Sequence, residues 1–123
     1  MPSNVPRGPR EIWKAFVWSM KGLRAGWRHE ASFRLEICLS VVMFPLGLWL
    51  GQGAVEKVLL AGSLLLVLAL ELLNSALEAV VDHVCPDIHP FAERAKDMGS
   101  AAVFLGMLGV VLTWGLILGT RWL

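Results

Sequence analysis

Four polar side chains interrupt a long apolar run in the middle of the sequence. They are Glu71, Asn74, Glu78 and Asp82, and they lie among leucines, valines and alanines in residues 68–82, LALELLNSALEAVVD. At about 100° per residue, a helix brings all four within about 100° of one another. Inserting a carboxylate into hydrocarbon costs roughly 2.5 to 3.5 kcal/mol. The polar stripe must therefore face protein, water or a metal ion, and it is a candidate functional site.

The depth of these carboxylates suits phosphoryl transfer to a membrane alcohol. A helix rising 1.5 Å per residue from Val55 places Glu71 roughly 24 Å deep and Glu78 roughly 34 Å deep, near the far membrane surface. Mg²⁺ is usually held by one or two carboxylates with phosphate oxygens, and a cation such as Lys96 can balance the transferred charge. The deeper Glu71 could accept a proton from a lipid hydroxyl.

The residues alone leave other interpretations of the stripe open. The glycine-rich and catalytic-loop signatures of soluble nucleotide-binding enzymes do not occur in the sequence. Polar contacts between membrane helices explain such a stripe equally well. Proton-coupled transport is a third and less favoured explanation. Asp82 is either an acceptor behind the site or a charge at the membrane surface. His83, Cys85 and His89 indicate a hydrated loop rather than a transition-metal site.

The rest of the chain has the composition of a membrane protein. Of 123 residues, 56% are hydrophobic and only 17% are charged, which is too apolar for a soluble domain of this length. We predict one all-α membrane domain over residues 1–123. An amphipathic surface helix over about 12–28 precedes three transmembrane helices, whose predicted bounds are about 33–50, 55–81 and 98–120.

The basic residues are concentrated near the amino terminus, and their distribution predicts the orientation. Seven of the eleven Lys and Arg residues precede residue 35. The positive-inside rule then places the amino terminus in the cytoplasm and the carboxyl terminus outside. Tryptophans on the apolar side of the 12–28 helix, with lysines and arginines beside them, fit a helix lying in the headgroup layer against anionic lipid.

Three motifs resemble one known family. ELLNSALEAVVD (71–82), RAKDMGSAA (94–102) and KGLRAGWRHEASFR (21–34) resemble the prokaryotic diacylglycerol kinase family. The resemblance implies a homotrimer with active sites shared between subunits, in a bacterial cytoplasmic (inner) membrane. It also implies transfer of the γ-phosphate of MgATP to diacylglycerol, yielding phosphatidate. Mg²⁺ is then the expected cofactor, membrane lipids are expected partners, and no nucleic-acid partner is expected.

The resemblance also implies roles for individual residues. Glu71 resembles the catalytic base, and Glu30 and Glu78 resemble the metal ligands. The implied ATP-binding set is Trp18, Glu30, Asn74, Glu78, Asp87, His89, Lys96 and Asp97. The implied lipid-substrate set is Ser32, Phe33, Arg34, Glu36, Glu71, Ser100 and Trp114.

One departure from the family pattern and two rival functions accompany this interpretation. Glu11 stands where family members carry an arginine, and Arg10, one position earlier, is a candidate to replace that contact.

The nearest rival to a diacylglycerol kinase is an undecaprenol kinase of the same fold, because the same chemistry serves any membrane alcohol. A rival from another class is a small proton-coupled transporter or an accessory membrane subunit, which predicts no ATP consumption.

Overall fold

The computed structural model describes residues 8–122 as four helices. They are α1 (Pro9–His29), α2 (Ala31–Leu50), α3 (Gly53–Val84) and α4 (Pro90–Trp122). The last three are long and apolar enough to cross a membrane. This confirms the predicted fold class of an all-α membrane protein with one amphipathic helix before three spanning helices. Each helix is longer than its predicted range, and the largest difference is at α4, which begins eight residues before the predicted 98.

A single residue, Glu30, joins α1 to α2. Arg34 closes this joint, because its Nη1 donates to the carbonyls of Trp27 at 2.9 Å and Arg28 at 3.1 Å. These carbonyls lie in the last turn of α1, where a helix leaves its acceptors without intrahelical donors. The guanidinium therefore ties the end of α1 to the start of α2.

The beginning of α1 is capped by the residue that departs from the family pattern. The Oε2 atom of Glu11 accepts the backbone N–H of Gly8 at 3.1 Å. Glu11 thus satisfies a donor that the helix itself cannot satisfy, and its charge lies at the positive end of the helix dipole.

Helix α3 packs between α2 and α4. Two glycines permit close approaches to α3, one from α1 and one from α2. At one level Gly26, at the end of α1, lies against Phe33 of α2 and Leu72 of α3. At the other level, Gly47 of α2 lies against Leu60 of α3.

The contact between α3 and α4 depends on two other glycines. Gly99 lies against the side-chain amide of Asn74, and a Cβ placed on Gly106 would approach Leu70 Cδ1 to 2.7 Å. The two glycines are seven residues apart, so they lie on the same side of α4, two turns from each other. Small residues of this kind allow membrane helices to approach closely.

At the opposite end of the spanning helices from α1, an arginine connects α4 to the turn between α2 and α3. Nη1 of Arg121 donates to the carbonyl of Leu50 at 2.8 Å, and Nη2 pairs with Glu56. The carboxylate of Glu56 also accepts the backbone N–H of Gln52 at 2.9 Å. Gly53, which begins α3, has φ +81°, a value that only glycine adopts without strain.

Candidate active site

Two acidic side chains face each other across the seam between α2 and α3. Glu36 of α2 is 9% exposed and Glu71 of α3 is 7% exposed. Each carboxyl group is a charged neighbour of the other. The Oε2 atom of Glu36 is buried and has no hydrogen-bond partner in residues 8–122. Holding two acidic groups together in a buried seam is costly, and proteins concentrate such arrangements at functional sites.

Two further carboxylates extend this pair toward α1. Glu30 and Glu78 are charged neighbours of Glu71. Glu30 is half-buried at the joint between α1 and α2, and Glu78 lies two turns beyond Glu71 on α3. We call Glu30, Glu36, Glu71 and Glu78 the carboxylate cluster. It draws one residue from the α1–α2 joint, one from α2 and two from α3, so the packing of these elements sets its geometry.

Asn74 connects the carboxylate cluster to α4. Its Nδ2 donates to Oε1 of Glu78, with an N–O distance of 3.4 Å. Its Oδ1 is buried, lies against Gly99 and has no hydrogen-bond partner within residues 8–122. The backbone of α4 therefore limits the directions that the Asn74 amide can take. The amide oxygen of Asn74 is thus buried and unpaired, which is uncommon in folded proteins.

Lys96 and Asp82 form an ion pair at the α1 end of the bundle. The Nζ–Oδ1 distance is 2.8 Å, and the side chains are 39% and 63% exposed, respectively. Glu78 is a further charged neighbour of Lys96. Asp82 is therefore a partner of Lys96. An exposed ion pair of this kind is weak, so the contact between Lys96 and Asp82 can be broken at little cost.

The residues assigned to the lipid site lie in different environments. Glu36 adjoins Glu71, whereas Phe33 is fully buried against Gly26 and Arg34 binds the carbonyls at the end of α1. Ser32 and Ser100 are exposed. Trp114 is far from the cluster, as its Nε1 donates to the carbonyl of Leu60 at 3.1 Å. Leu60 is eleven residues from Glu71, or about 16 Å along α3.

Besides Asn74 and Lys96, four residues assigned to ATP lie outside the carboxylate cluster. Trp18 on α1 and Asp97 on α4 are exposed, as are Asp87 and His89 in the segment between α3 and α4. His89 makes a local contact, because its Nδ1 accepts the backbone N–H of Phe91 at 3.2 Å. Arg10, the candidate replacement for the family arginine, is also exposed. These side chains face away from the packed seams and are free to meet a soluble ligand.

Two residues of the carboxylate cluster have the chemistry of magnesium ligands. In residues 8–122 no three His, Cys, Asp or Glu side chains gather at a distance that could hold a metal. Mg²⁺ dehydrates reluctantly and is commonly bound by one or two carboxylates together with substrate phosphates. Glu30 and Glu78 can supply such a pair. The site is thus suited to a metal that arrives with a nucleotide.

Sequence reasoning missed two features of the site. The first is the pairing of Glu36 with Glu71, for which a signal exists: both are carboxylates in apolar helices, at similar distances from the turn at residues 51–53. The second is the contact of Gly99 with Asn74. The seven-residue spacing of Gly99 and Gly106 points to a packed face of α4, but it does not identify the residue opposite.

Comparison with known proteins identifies the family of the chain. The family model of prokaryotic diacylglycerol kinase matches residues 17–118. The chain is 44% identical to a diacylglycerol kinase of Escherichia coli K12 over 116 residues, covering 94% of this chain and 95% of that protein. It is 45% identical to a diacylglycerol kinase of Haemophilus influenzae over 101 residues, which cover 82% of this chain and 86% of that protein. It is 42% identical to a diacylglycerol kinase of Pseudomonas aeruginosa PAO1 over 117 residues, which cover 95% of each chain. The chain, a membrane protein with three apolar spanning helices, therefore belongs to the prokaryotic diacylglycerol kinase family and is a kinase of that family.

Proposed function

We propose that this protein transfers the γ-phosphoryl group of MgATP to the free hydroxyl of diacylglycerol, forming phosphatidate. The observation that carries the proposal is the position of Glu71, buried between two membrane helices and flanked by Glu30, Glu36 and Glu78. A lipid hydroxyl can reach such a carboxylate from the bilayer, while a nucleotide can reach its neighbours from the water. The names of the relatives supply the substrate class.

In the proposed reaction, Glu71 takes the proton of the lipid hydroxyl. The hydroxyl oxygen forms a bond to the γ-phosphorus, the bond from that phosphorus to the β–γ bridging oxygen breaks, and ADP leaves. Glu30 and Glu78 would hold Mg²⁺, which supplies charge neutralisation on the phosphate oxygens. Asn74 orients the carboxylate of Glu78 through its Nδ2.

Lys96 completes the proposed nucleotide site by exchanging partners. It is bound to Asp82 at 2.8 Å and lies near Glu78. Phosphate oxygens carry more charge than a single carboxylate, so they can draw the ammonium group away from Asp82. Trp18, Asp87, His89 and Asp97 remain proposed nucleotide contacts, and Ser32, Phe33, Arg34, Ser100 and Trp114 remain proposed contacts of the lipid.

The α1 end of the bundle is proposed to face the cytoplasm, and the chain is proposed to form a homotrimer in the bacterial cytoplasmic membrane. The basic residues of α1 support the orientation through the positive-inside rule. Leu65, Leu66 and Leu73 on α3 are 55%, 58% and 66% exposed, so part of this helix is open to contact with other copies. In a trimer these faces can pack on other copies, which brings additional side chains to each site.

A lipid-kinase assay of the purified full-length protein tests the activity. The protein in mixed micelles is given MgATP with either diacylglycerol or undecaprenol as acceptor. We expect phosphatidate as the preferred product and a requirement for Mg²⁺. Preference for undecaprenol would overturn the substrate assignment, and the absence of ATP consumption with either acceptor would favour the transporter or accessory-subunit interpretation.

Conservative variants test the assigned roles. Glu71→Gln keeps the shape of the side chain but removes its proton-accepting capacity, so turnover should fall by about 10² to 10⁴ while MgATP binding is retained. Glu78→Gln should weaken both the Mg²⁺ dependence and nucleotide binding. Glu93→Gln, in the exposed first turn of α4, is the matched control and should change neither quantity. Normal turnover by Glu71→Gln would remove Glu71 from the role of base.

A further inference from the structure

Glu30, at the joint between α1 and α2, has a carboxylate that is left without a cation. Neither of the two ion pairs in residues 8–122 includes Glu30, and its side chain makes no capping hydrogen bond to α2. Arg34 lies one helical turn after Glu30, at a spacing where an arginine can pair with an acid. Its guanidinium makes other contacts instead, so the two side chains are not partners.

Arg34 holds the backbone on both sides of Glu30. Its Nη1 donates to the carbonyls of Trp27 at 2.9 Å and Arg28 at 3.1 Å, in the turn that precedes Glu30. Its backbone N–H donates to the carbonyl of Glu30 itself at 3.1 Å. The N–H of Glu30 donates to the carbonyl of Gly26 at 3.0 Å. Both backbone polar groups of Glu30 are therefore hydrogen-bonded, and Arg34 links the two helices that flank them.

Phe33, the residue before Arg34, supports the same joint from its apolar side. It is buried, and a Cβ on Gly26 would lie 3.0 Å from its ring. Consecutive helical residues point about 100° apart, so the ring packs against the last turn of α1 while the guanidinium reaches its carbonyls. Apolar contact is non-directional, whereas a hydrogen bond weakens when its angle changes. The guanidinium, more than the ring, therefore sets how the last turn of α1 is oriented.

We propose that Arg34 is a positioning residue, which holds the end of α1 so that the carboxylate of Glu30 stays free and in place for the metal of the nucleotide. The inference rests on the proposed function and deepens it by adding a residue that acts on the metal only through Glu30. Glu30 is a charged neighbour of Glu71, so holding it in place keeps it beside the rest of the carboxylate cluster. The other N–H groups of Arg34 remain for the proposed lipid contact.

The choice of carbonyls over the carboxylate matters for metal binding. A guanidinium on the Glu30 carboxylate would compete with Mg²⁺ for the same oxygens, whereas a guanidinium on backbone carbonyls leaves these oxygens open. Residues that orient a metal ligand without touching the metal typically change metal affinity about 10- to 100-fold. Arg34 acts on the backbone next to Glu30 rather than on its carboxylate, so its effect should lie at the lower end of this range.

Metal binding in the absence of turnover tests this role. The purified full-length protein, with β,γ-methylene ATP and no lipid acceptor, is titrated with Mn²⁺ as a substitute for Mg²⁺, and free Mn²⁺ is measured by electron paramagnetic resonance. Arg34→Met removes the donor and should weaken Mn²⁺ binding about tenfold. Arg34→Lys should recover most of this loss, because one nitrogen serves both carbonyls and an ammonium group has three donors.

Arg28→Met is the matched control, because it removes an exposed guanidinium from the same joint but keeps the carbonyl that Arg34 binds. It should bind Mn²⁺ as the parent protein does. Adding Arg34→Met to Glu30→Gln separates positioning from a general loss of stability: if Arg34 acts through Glu30, the second change should weaken Mn²⁺ binding no further.

Two results would overturn the proposal. One is parental Mn²⁺ affinity in folded Arg34→Met, and the other is an equal loss with and without Glu30→Gln. If Arg34→Met does not fold, Arg34→Gln takes its place, since its side chain is too short to reach both carbonyls and the same loss is expected. A parent protein that binds no Mn²⁺ together with the nucleotide would instead remove the proposed metal site, and the role of Arg34 with it.

Discussion

Gly99→Ala should impair the nucleotide site although residue 99 carries no functional group. A Cβ at this position would overlap Oδ1 of Asn74, so the amide must rotate. Rotation separates Nδ2 of Asn74 from Oε1 of Glu78, which are 3.4 Å apart. A hydrogen bond to a charged group contributes about 1.5 to 3 kcal/mol, and this long one belongs at the lower end of the range. About 1.4 kcal/mol corresponds to a tenfold weaker affinity.

The same substitution should have little effect on stability. Alanine is a better helix residue than glycine by about 1 kcal/mol, and this gain offsets part of the steric cost, which is about 1 to 3 kcal/mol for an added methyl group in a packed seam. We therefore expect about a tenfold rise in the KM for MgATP with a nearly unchanged temperature of inactivation. The assay is steady-state phosphoryl transfer at varied MgATP, with thermal inactivation measured on the same samples.

Gly109→Ala is the matched control for Gly99→Ala. Gly109 lies on the same helix and has no atom within 4 Å of where its Cβ would stand, so its substitution should be silent. Adding Asn74→Ala to Gly99→Ala tests the route of the effect, because two changes acting through one contact are not additive. If Gly99→Ala behaved like Gly109→Ala, or if its effect simply added to that of Asn74→Ala, the reasoning would be refuted.

Two further variants probe the ends of the bundle. Arg121→Met removes the donor to the Leu50 carbonyl and the partner of Glu56. The substitution should lower the free energy of unfolding by about 1 to 3 kcal/mol. The variant should therefore lose activity at a lower temperature than the parent protein, while its kcat below the temperature of inactivation should be unchanged. A lower kcat at permissive temperature would contradict a purely structural role. Asp82→Asn frees Lys96 from a competing carboxylate, so the KM for MgATP should fall by less than about fivefold at low salt. This difference should shrink as salt is added, and a KM that rises instead would exclude competition.

The spanning helices could be predicted from the sequence because one physical quantity, the thickness of the hydrocarbon, sets their length. The start of α4 could not be predicted in this way. Residues 90–97 include charged side chains, so they do not register in hydropathy, yet they form two helical turns. Those turns carry Lys96 to within 2.8 Å of Asp82.

Prediction of the carboxylate cluster was partial for a related reason. Helical periodicity places Glu71, Asn74 and Glu78 on one side of α3, because it depends only on angle per residue. It does not give the register of one helix against another. The pairing of Glu36 with Glu71 depends on how α2 and α3 pack, and this packing is governed by glycines whose neighbours are distant in sequence. The contact that Arg34 makes with the end of α1 likewise depends on the one-residue joint, which helical periodicity does not predict.

The one-residue joint between α1 and α2 restricts how Glu30, the proposed metal ligand, can be placed. Glu30 is the only residue between two helices, and its backbone offers just two rotatable dihedrals to set the angle between them. The direction of its carboxylate is consequently determined by the angle at which the interfacial helix meets the membrane-crossing one. Inserting even one residue there would turn that side chain away while leaving both helices intact, so the length of the connection matters to the proposed site as much as the acid it carries.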